Sequence, residues 1–306
     1  MKNVLITGGS GLLGRSITEL LLHNGYQVAW LTRKGAKSLP IKHFFWDIPN
    51  NEIDTKAIEF ADIIIHLAGA GIADKPWKVA RKQEIIDSRV DSTNLLVSAL
   101  KQHNKKPELV LAASAVGYYG AITDTHVFVE SDAPAADFLG TTTQLWELAT
   151  DQFRALGIKT IQYRISAVLA PEGGALPKMM TPVKLGLGAA LGNGKQWMPW
   201  IHISDLSRMF LFAIENDIKE GVYNAASPAK DNNKQFMRML AKVLNRPFVL
   251  PPVPGIVMKL MLGEMADMVL KGSAVSTEKI QKTGFEFKYP ELKPALQQLL
   301  QKEKHP

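Results

Sequence analysis

Residues 7–14 read Thr7-Gly8-Gly9-Ser10-Gly11-Leu12-Leu13-Gly14 and follow the apolar run Val4-Leu5-Ile6, a pattern suited to holding phosphate. Gly8 can take a tight turn, Gly11 lets backbone approach a pyrophosphate, and Gly14 permits close packing of the next helix on the strand. The helix N-terminus then faces the negative charge. The spacing is Gly-x-x-Gly-x-x-Gly, where the more familiar fingerprint is Gly-x-Gly-x-x-Gly, so context must carry the inference. The strand before it and the amphipathic helix after it (Leu13, Ile17, Leu20, Leu21) favour a dinucleotide cradle over a loop in which glycine only turns.

The strand expected at residues 27–32 decides which dinucleotide. An NAD-binding fold places an Asp or Glu here to meet the ribose hydroxyls. No acidic residue lies between Glu19 and Asp47, and the strand runs instead into Thr32, Arg33, Lys34 and, past a Gly-Ala turn, Lys37. Arginine can hold a 2′-phosphate through two parallel charge-assisted hydrogen bonds, with the Thr32 hydroxyl beside it. NADP(H) is therefore the expected cofactor; a solvated basic loop is the other reading.

The tyrosines stand at 26, 118, 119, 163, 223 and 289, and only Tyr289 has a lysine four residues on, Lys293. Pro290 between them works against a shared helix face. Tyr118 and Tyr119 follow a strand C-terminus, where open α/β sheets collect ligands, and Tyr118 is the candidate for an acidic hydroxyl beside a base or cation; packing is its alternative. Ser114 offers a hydrogen-bond donor. His202, between Trp200 and a helix start, reads as a structural group rather than a proton donor. With zero cysteines, no metal-ligand spacing and no Gly-x-Ser-x-Gly elbow, neither metal nor acyl-enzyme chemistry is expected.

These residues need a scaffold, and the chain alternates accordingly. Strand-like runs at 3–7, 27–32, 43–47, 62–67, 108–114 and 159–168 are separated by helical periodicity, including a long helix over 77–102. Near-continuous apolar strands such as Ile63-Ile64-Ile65 and Leu109-Val110-Leu111 predict an α/β, Rossmann-type, doubly wound parallel sheet covered on both faces. After Arg164 glycines and prolines crowd the sequence, which predicts a smaller C-terminal α/β substrate domain over 171–306 beside a cofactor domain over 1–170. A helix begins at 202–205 with Ser204 or Asp205 as N-cap, and a strand at 222–226 returns to the main sheet.

The 306 residues are 46% hydrophobic and 21% charged, ordinary for a globular protein. No apolar stretch approaches the ~18 residues of a membrane span, and Met1 leads straight into a strand with no leader, so the expected setting is cytoplasmic. The net charge of +7 is C-terminal, with 18 Lys and Arg against 12 Asp and Glu after residue 170. It is scattered and lacks interleaved aromatics, which argues against nucleic acid and fits an anionic small-molecule substrate or plain solvated lysine.

The glycine loop, His66-Leu67-Ala68-Gly69, residues 114–120 and residues 200–205 resemble the extended short-chain dehydrogenase/reductase superfamily. Pro76-Trp77, Ser88-Arg89, Gly117-Tyr118-Tyr119-Gly120, Leu185-Gly186-Leu187-Gly188 and Trp200-Ile201-His202 are similar to its atypical epimerase-family oxidoreductase branch. That branch ends in a small domain of unknown function, which Gly284-Phe285 and Tyr289-Pro290-Glu291-Leu292 resemble. The resemblance implies cofactor contacts at Thr32 and Arg33 around the phosphate and at Asp47 near the adenine. It implies further contacts at Leu67, Ala68 and Gly69 along the cofactor, and at Glu84, Arg89 and Val168. Read without it, Asp47 could cap the next segment, Glu84 and Arg89 could pair on a helix surface, and Val168 could be core. The superfamily's Tyr-x-x-x-Lys pair is missing: its positions fall on Leu139 and Thr143, and its serine on Ala115. An NADP(H)-dependent oxidoreductase or epimerase-like enzyme with another proton path, and an NADP(H)-binding sensor without turnover, are both compatible with this.

Overall fold

A computed structural model describes residues 2–33 and 41–301. In chain order, β1 (Asn3–Thr7), α1 (Leu12–His23), β2 (Gln27–Thr32), β3 (Lys42–Asp47), β4 (Glu52–Ile53), α2 (Thr55–Phe60), β5 (Ile63–His66), α3 (Val79–Gln102) and β6 (Leu109–Ala115) come first. A 3-10 turn at Val116–Tyr119 leads to β7 (Val127–Phe128), α4 (Phe138–Ala155) and β8 (Lys159–Ile165). β9 (Ala167–Ala170), β10 (Gly173–Gly174), α5 (Leu176–Lys184), β11 (Trp200–His202), α6 (Ile203–Glu215), β12 (Gly221–Ala225) and α7 (Asn233–Val243) follow. The chain closes with α8 (Gly255–Leu262), α9 (Asp267–Leu270), β13 (Ala274–Val275), α10 (Glu278–Gln281) and α11 (Leu292–Gln301).

The main sheet has the order β12-β8-β6-β5-β1-β2-β3-β4, parallel except for the β3–β4 pair. Its strands alternate between two cores because side chains point to opposite faces. Val4 and Ile6 pack with Ile17 and Leu21 of α1 and with Met209 and Phe210 of α6. Leu5 between them packs with Ala57 and Ile58 of α2, Leu95 and Leu96 of α3 and Phe153 of α4. Burial on both faces is why these strands are apolar throughout, and the fold is Rossmann-like, as the sequence predicts. Strand order advances from β1 through β2 to β3, then reverses from β5 through β6 and β8 to β12. This makes the β1/β5 edge the switch point at which such sheets bind ligands.

The run expected as one strand over 159–168 is two. Both the amide and the hydroxyl of Ser166 bond to the Ala225 carbonyl, at 3.1 and 2.9 Å, and Ala167 N bonds to Pro199 O, so the chain leaves the main sheet there. β9 then joins a small sheet, β10-β9-β11, backed by Leu176, Val183, Phe236, Leu240 and Leu296 of α5, α7 and α11. The long helix starts at Val79 rather than Trp77, whose indole is instead tied to the Ile72 carbonyl at 2.8 Å. The N-cap of α6 is His202, not Ser204 or Asp205: its Nδ1 accepts the Ser204 amide at 3.1 Å. Asp205 is withdrawn into the interior, where it accepts the amides of Lys288 and Tyr289 at 2.8 Å each. No helix among the described residues is long and apolar enough to cross a membrane.

Candidate functional site

The glycine loop ends β1 at the switch point. Gly8 sits at φ +70°, and a Cβ there would come within 3.0 Å of the Leu67 carbonyl, so two strand ends meet with no room for a side chain. Gly9 lies flat on the Trp30 ring, where a Cβ would come within 2.4 Å. Gly14 packs not on the strand but on the loop itself, with its missing Cβ 2.5 Å from Gly8 O and 2.6 Å from Gly9 Cα. Gly11 caps α1 without a side chain, and no acid occupies the first turn, so the amides of Leu12, Leu13 and Gly14 lack a side-chain cap. The Ser10 carbonyl is taken by Arg15 at 2.6 Å.

A hydrogen-bond relay fixes the opposite wall. Thr7 Oγ1 accepts the amides of Leu67 and Ala68, both at 3.1 Å, so its own proton goes to His66 Nδ1 at 2.8 Å. His66 must then carry its proton on Nε2 and donate to Thr93 Oγ1 at 3.0 Å, and Thr93 donates to the Arg89 carbonyl at 2.7 Å. Burial holds His66 neutral and pushes its pKa down to about 4. At the end of the relay, Arg89 reaches beneath Gly69 and donates to the carbonyls of Ala70 (3.0 Å) and Ile85 (2.9 Å), with its guanidinium 4.8 Å from the Trp146 ring centre. Burial, with the charge of Arg81, lowers the Arg89 pKa to about 10. Glu84 does not pair with Arg89; its partner is Arg81, at 2.7 Å.

Arg33 is exposed at the end of β2. The hydrogen bond from Arg81, joined by the charges of Arg81, Lys75 and Arg33, holds the Glu84 carboxyl below its ordinary range. Thr32 stands at the end of β2, while Lys34 and Lys37 lie outside the described residues. Asp47 ends β3 and accepts from Asn50 Nδ2 at 3.0 Å, the local cap open to it from the sequence. Val168 lies on β9, and its neighbour Gly174 lets Leu12 approach: a Cβ there would lie 2.4 Å from Val168 O and 3.5 Å from Leu12 Cδ2. The crevice thus gathers residues 8–14, Leu67, Ala68, Gly69, Arg89 and Val168, with Arg33 farther along at the end of β2.

Beyond β6 lies a buried polar network that sequence reading missed. Arg164 grips Glu147 with two hydrogen bonds of 2.8 Å, and Ser114 donates to the same carboxylate at 2.6 Å. Arg164 also donates to Tyr119 Oη at 2.9 Å, and Tyr119 donates to Asn224 at 2.8 Å. Burial pushes the Tyr119 phenol up to about 12. Tyr118 is half-buried with the Arg164 guanidinium 3.4 Å from its ring centre, and its hydroxyl makes no hydrogen bond to another described residue. The one signal for this network in the sequence was Arg164 itself, a charge inside the run Ile161-Gln162-Tyr163-Arg164-Ile165 that needs a buried partner. Leu139 and Thr143, one turn apart on α4, both face Gly117, where a Cβ would meet them at 3.4 and 3.7 Å. Tyr289 is far from this point: its ring stacks on His202, 4.0 Å between centres.

A cavity of about 530 Å³ opens beside Leu139, lined by Trp77, Lys82, Phe138 and Asp137 on one side and Lys259, Glu264 and Asp267 on the other.

Fold and crevice together define a Rossmann-like α/β protein with a glycine-lined switch point, and comparison narrows the class. The sequence profile of the NAD dependent epimerase/dehydratase family matches residues 4–226, and that of a domain of unknown function, DUF1731, matches 253–299. The chain belongs to the NAD dependent epimerase/dehydratase family. It is 38% identical over 303 residues to epimerase family protein SSP1921 of Staphylococcus saprophyticus, covering 98% of this chain and 100% of that one. With epimerase family protein YfhF of Bacillus subtilis the identity is 34% over 300 residues, covering 97% and 98%. Among solved structures, human epimerase family protein SDR39U1 (isoform 2) with NADPH superposes with a TM-score of 0.86 at 28% identity, covering 98% of this chain and 99% of that one. UDP-N-acetylglucosamine 4-epimerase from Bacillus cereus, at 16% identity and TM-score 0.79 with 99% and 100% covered, shares the fold.

Proposed function

We propose that this protein is an NADP(H)-dependent oxidoreductase of the epimerase type, acting on a small molecule without a Tyr-x-x-x-Lys pair. The observation that carries the reading is the crevice at the switch point. One stretch offers bare glycine backbone and uncapped helix amides, and the far mouth carries Arg33 with no acid at the end of β2. The chain's residues fit such a cofactor: a Cβ at Gly8 or Gly14 would collide with backbone, so the loop has no use for side chains where a pyrophosphate would lie. Leu12, Leu13, Gly14, Leu67, Ala68, Gly69, Arg89 and Val168 would hold its middle. Thr32, Arg33 and Glu84 would hold the ribose-phosphate end, and Asp47 would stand near the adenine. When bound, the nicotinamide supplies hydride transfer. The NADPH in the human SDR39U1 structure supports the choice of cofactor.

What the chain adds is a proton path that differs from the superfamily's. Leu139 and Thr143 cannot form a phenol–lysine couple, and Ser114 is committed to Glu147. Tyr118 is the remaining phenol at this end, uncommitted among the described residues and set against a cation. A second reading, an NADP(H) sensor without turnover, is favoured by the same substitution of Leu139 and Thr143 for tyrosine and lysine. The experiment follows NADPH absorbance against pooled carbonyl compounds and nucleotide sugars. Once a substrate is found, Tyr118→Phe should lower turnover by about 10²–10⁴-fold while Tyr289→Phe leaves it intact. A neutral Tyr118→Phe puts the proton path elsewhere. Absence of turnover in a protein that binds NADPH moves the reading to the sensor.

A further inference from the structure

The cavity beside Leu139 has two unequal walls. One is half-buried: Trp77 and Phe138 meet edge to face, 4.8 Å between ring centres, and Lys82 on α3 holds its ammonium 5.1 Å from the Phe138 ring centre. The other wall is the segment 255–270. Its helix α8 buries none of its residues and packs chiefly on the turn Gly263–Ala266 and α9, while Ile256, Leu260 and Met261 are 70–84% exposed. Gly263, at φ +58° with open space around it, ends α8 and begins that turn.

Among the described residues one ion pair spans the two walls, Lys82 with Glu264. The pair is asymmetric: the Lys82 side chain is 28% exposed and seated on an aromatic ring, whereas Glu264 is 64% exposed on the outer segment. The carboxylates around it are otherwise engaged: Asp137 caps α4, and Asp267 pairs with Lys271 at 2.9 Å. Lys82 is therefore the fixed element and Glu264 the replaceable one, a carboxylate reaching into an aromatic-walled cavity.

We infer that Glu264 occupies the place of a ligand carboxylate: the cavity takes a small monocarboxylate with a planar apolar body, whose anion displaces Glu264 from Lys82 while its body lies on Trp77, Phe138 and Leu139. Displacement also frees the turn Gly263–Ala266 from α3, so ligand entry and release of this outer segment are one event. That the ligand is the substrate rests on the oxidoreductase reading above, because Leu139 joins this cavity to Gly117 at the end of β6. The carboxylate site itself does not depend on that reading.

The test is ¹⁹F NMR titration of the full chain, with and without NADPH, using 3-fluorobenzoate and its uncharged counterpart 3-fluorobenzamide. An exposed ion pair is worth up to ~1 kcal/mol, so removing the internal competitor in Glu264→Gln should tighten fluorobenzoate about two- to fivefold. Lys82→Met should weaken it about tenfold or more, and fluorobenzamide should bind poorly throughout. The inference is overturned if the amide binds as well as the acid, if Glu264→Gln fails to tighten binding, or if neither wild type nor Glu264→Gln binds fluorobenzoate. Equal displacement by inorganic phosphate would make this a general anion site and overturn the assignment to carboxylates. NADPH affinity, titrated in parallel, should be unchanged in both variants; its absence would fail the cofactor reading while the fluorobenzoate result still stands.

Discussion

Single atoms decide the cradle. Gly11 and Gly14 lie three residues apart, yet their substitutions should differ in kind. Gly11 has ordinary backbone (φ −71°, ψ 171°) and its Cβ would meet only Gly8 O at 3.2 Å, so Gly11→Val should fold and lose NADPH binding, as checked by calorimetry alongside thermal melting. Gly14→Val would drive carbon into backbone at 2.5 Å and should lower stability itself, by about 1–3 kcal/mol. Gly11→Val that still binds NADPH would remove this loop from the site. His66 supplies a second prediction. Its native pKa of about 4 lies below the ordinary value of 6.5, so the unfolded chain binds the extra proton and stability is lost as pH falls from 6.5 toward 4. The loss is about 3 kcal/mol if the whole difference is realised. Urea unfolding across that range should show this slope in wild type and a shallower one in His66→Gln, a comparison that separates it from carboxylate titration.

Between elements, the buried pair Arg164–Glu147 joins β8 to α4, and through Ser114 and Tyr119 it ties in β6 and β12. Both side chains are withdrawn from water, 3% and 9% exposed, so Arg164→Met alone leaves a carboxylate buried without its partner. We expect a loss of about 3–5 kcal/mol in urea unfolding, with Arg164→Met combined with Glu147→Leu recovering most of it. A single variant that loses under about 1 kcal/mol would mean that water reaches the pair. The main strands were legible in the sequence because burial on both faces makes a parallel strand apolar throughout. The break at Ser166 was not, since residues 159–168 read as one run and the exit is set by bonds to Ala225, far along the chain. The N-cap was misplaced for a related reason: Asp205 has the right chemistry for a cap, but tertiary contacts to residues 288 and 289 claim it and leave His202 to serve. Glycines and the basic end of β2 were readable because short-range chemistry dictates them. The relay through Thr7, His66 and Thr93 and the cavity wall at Lys82 were not, because they join residues from separate elements.

At the scale of the molecule, the reversal of strand order at β1/β5 places the glycine loop, the end of β5 and Arg33 along one crevice, and the account rests on what that crevice prefers. Hydrogen bonds to a charged group contribute about 1.5–3 kcal/mol, so recognition of a 2′-phosphate by Arg33 should favour NADPH over NADH by about ten- to a hundredfold. Isothermal titration of the full chain with both cofactors, at one stated salt concentration, measures this directly. Arg33→Ala should weaken NADPH toward the NADH value and leave NADH almost unchanged. Equal affinities for the two cofactors in wild type, or an Arg33→Ala variant that keeps the preference, would contradict the account.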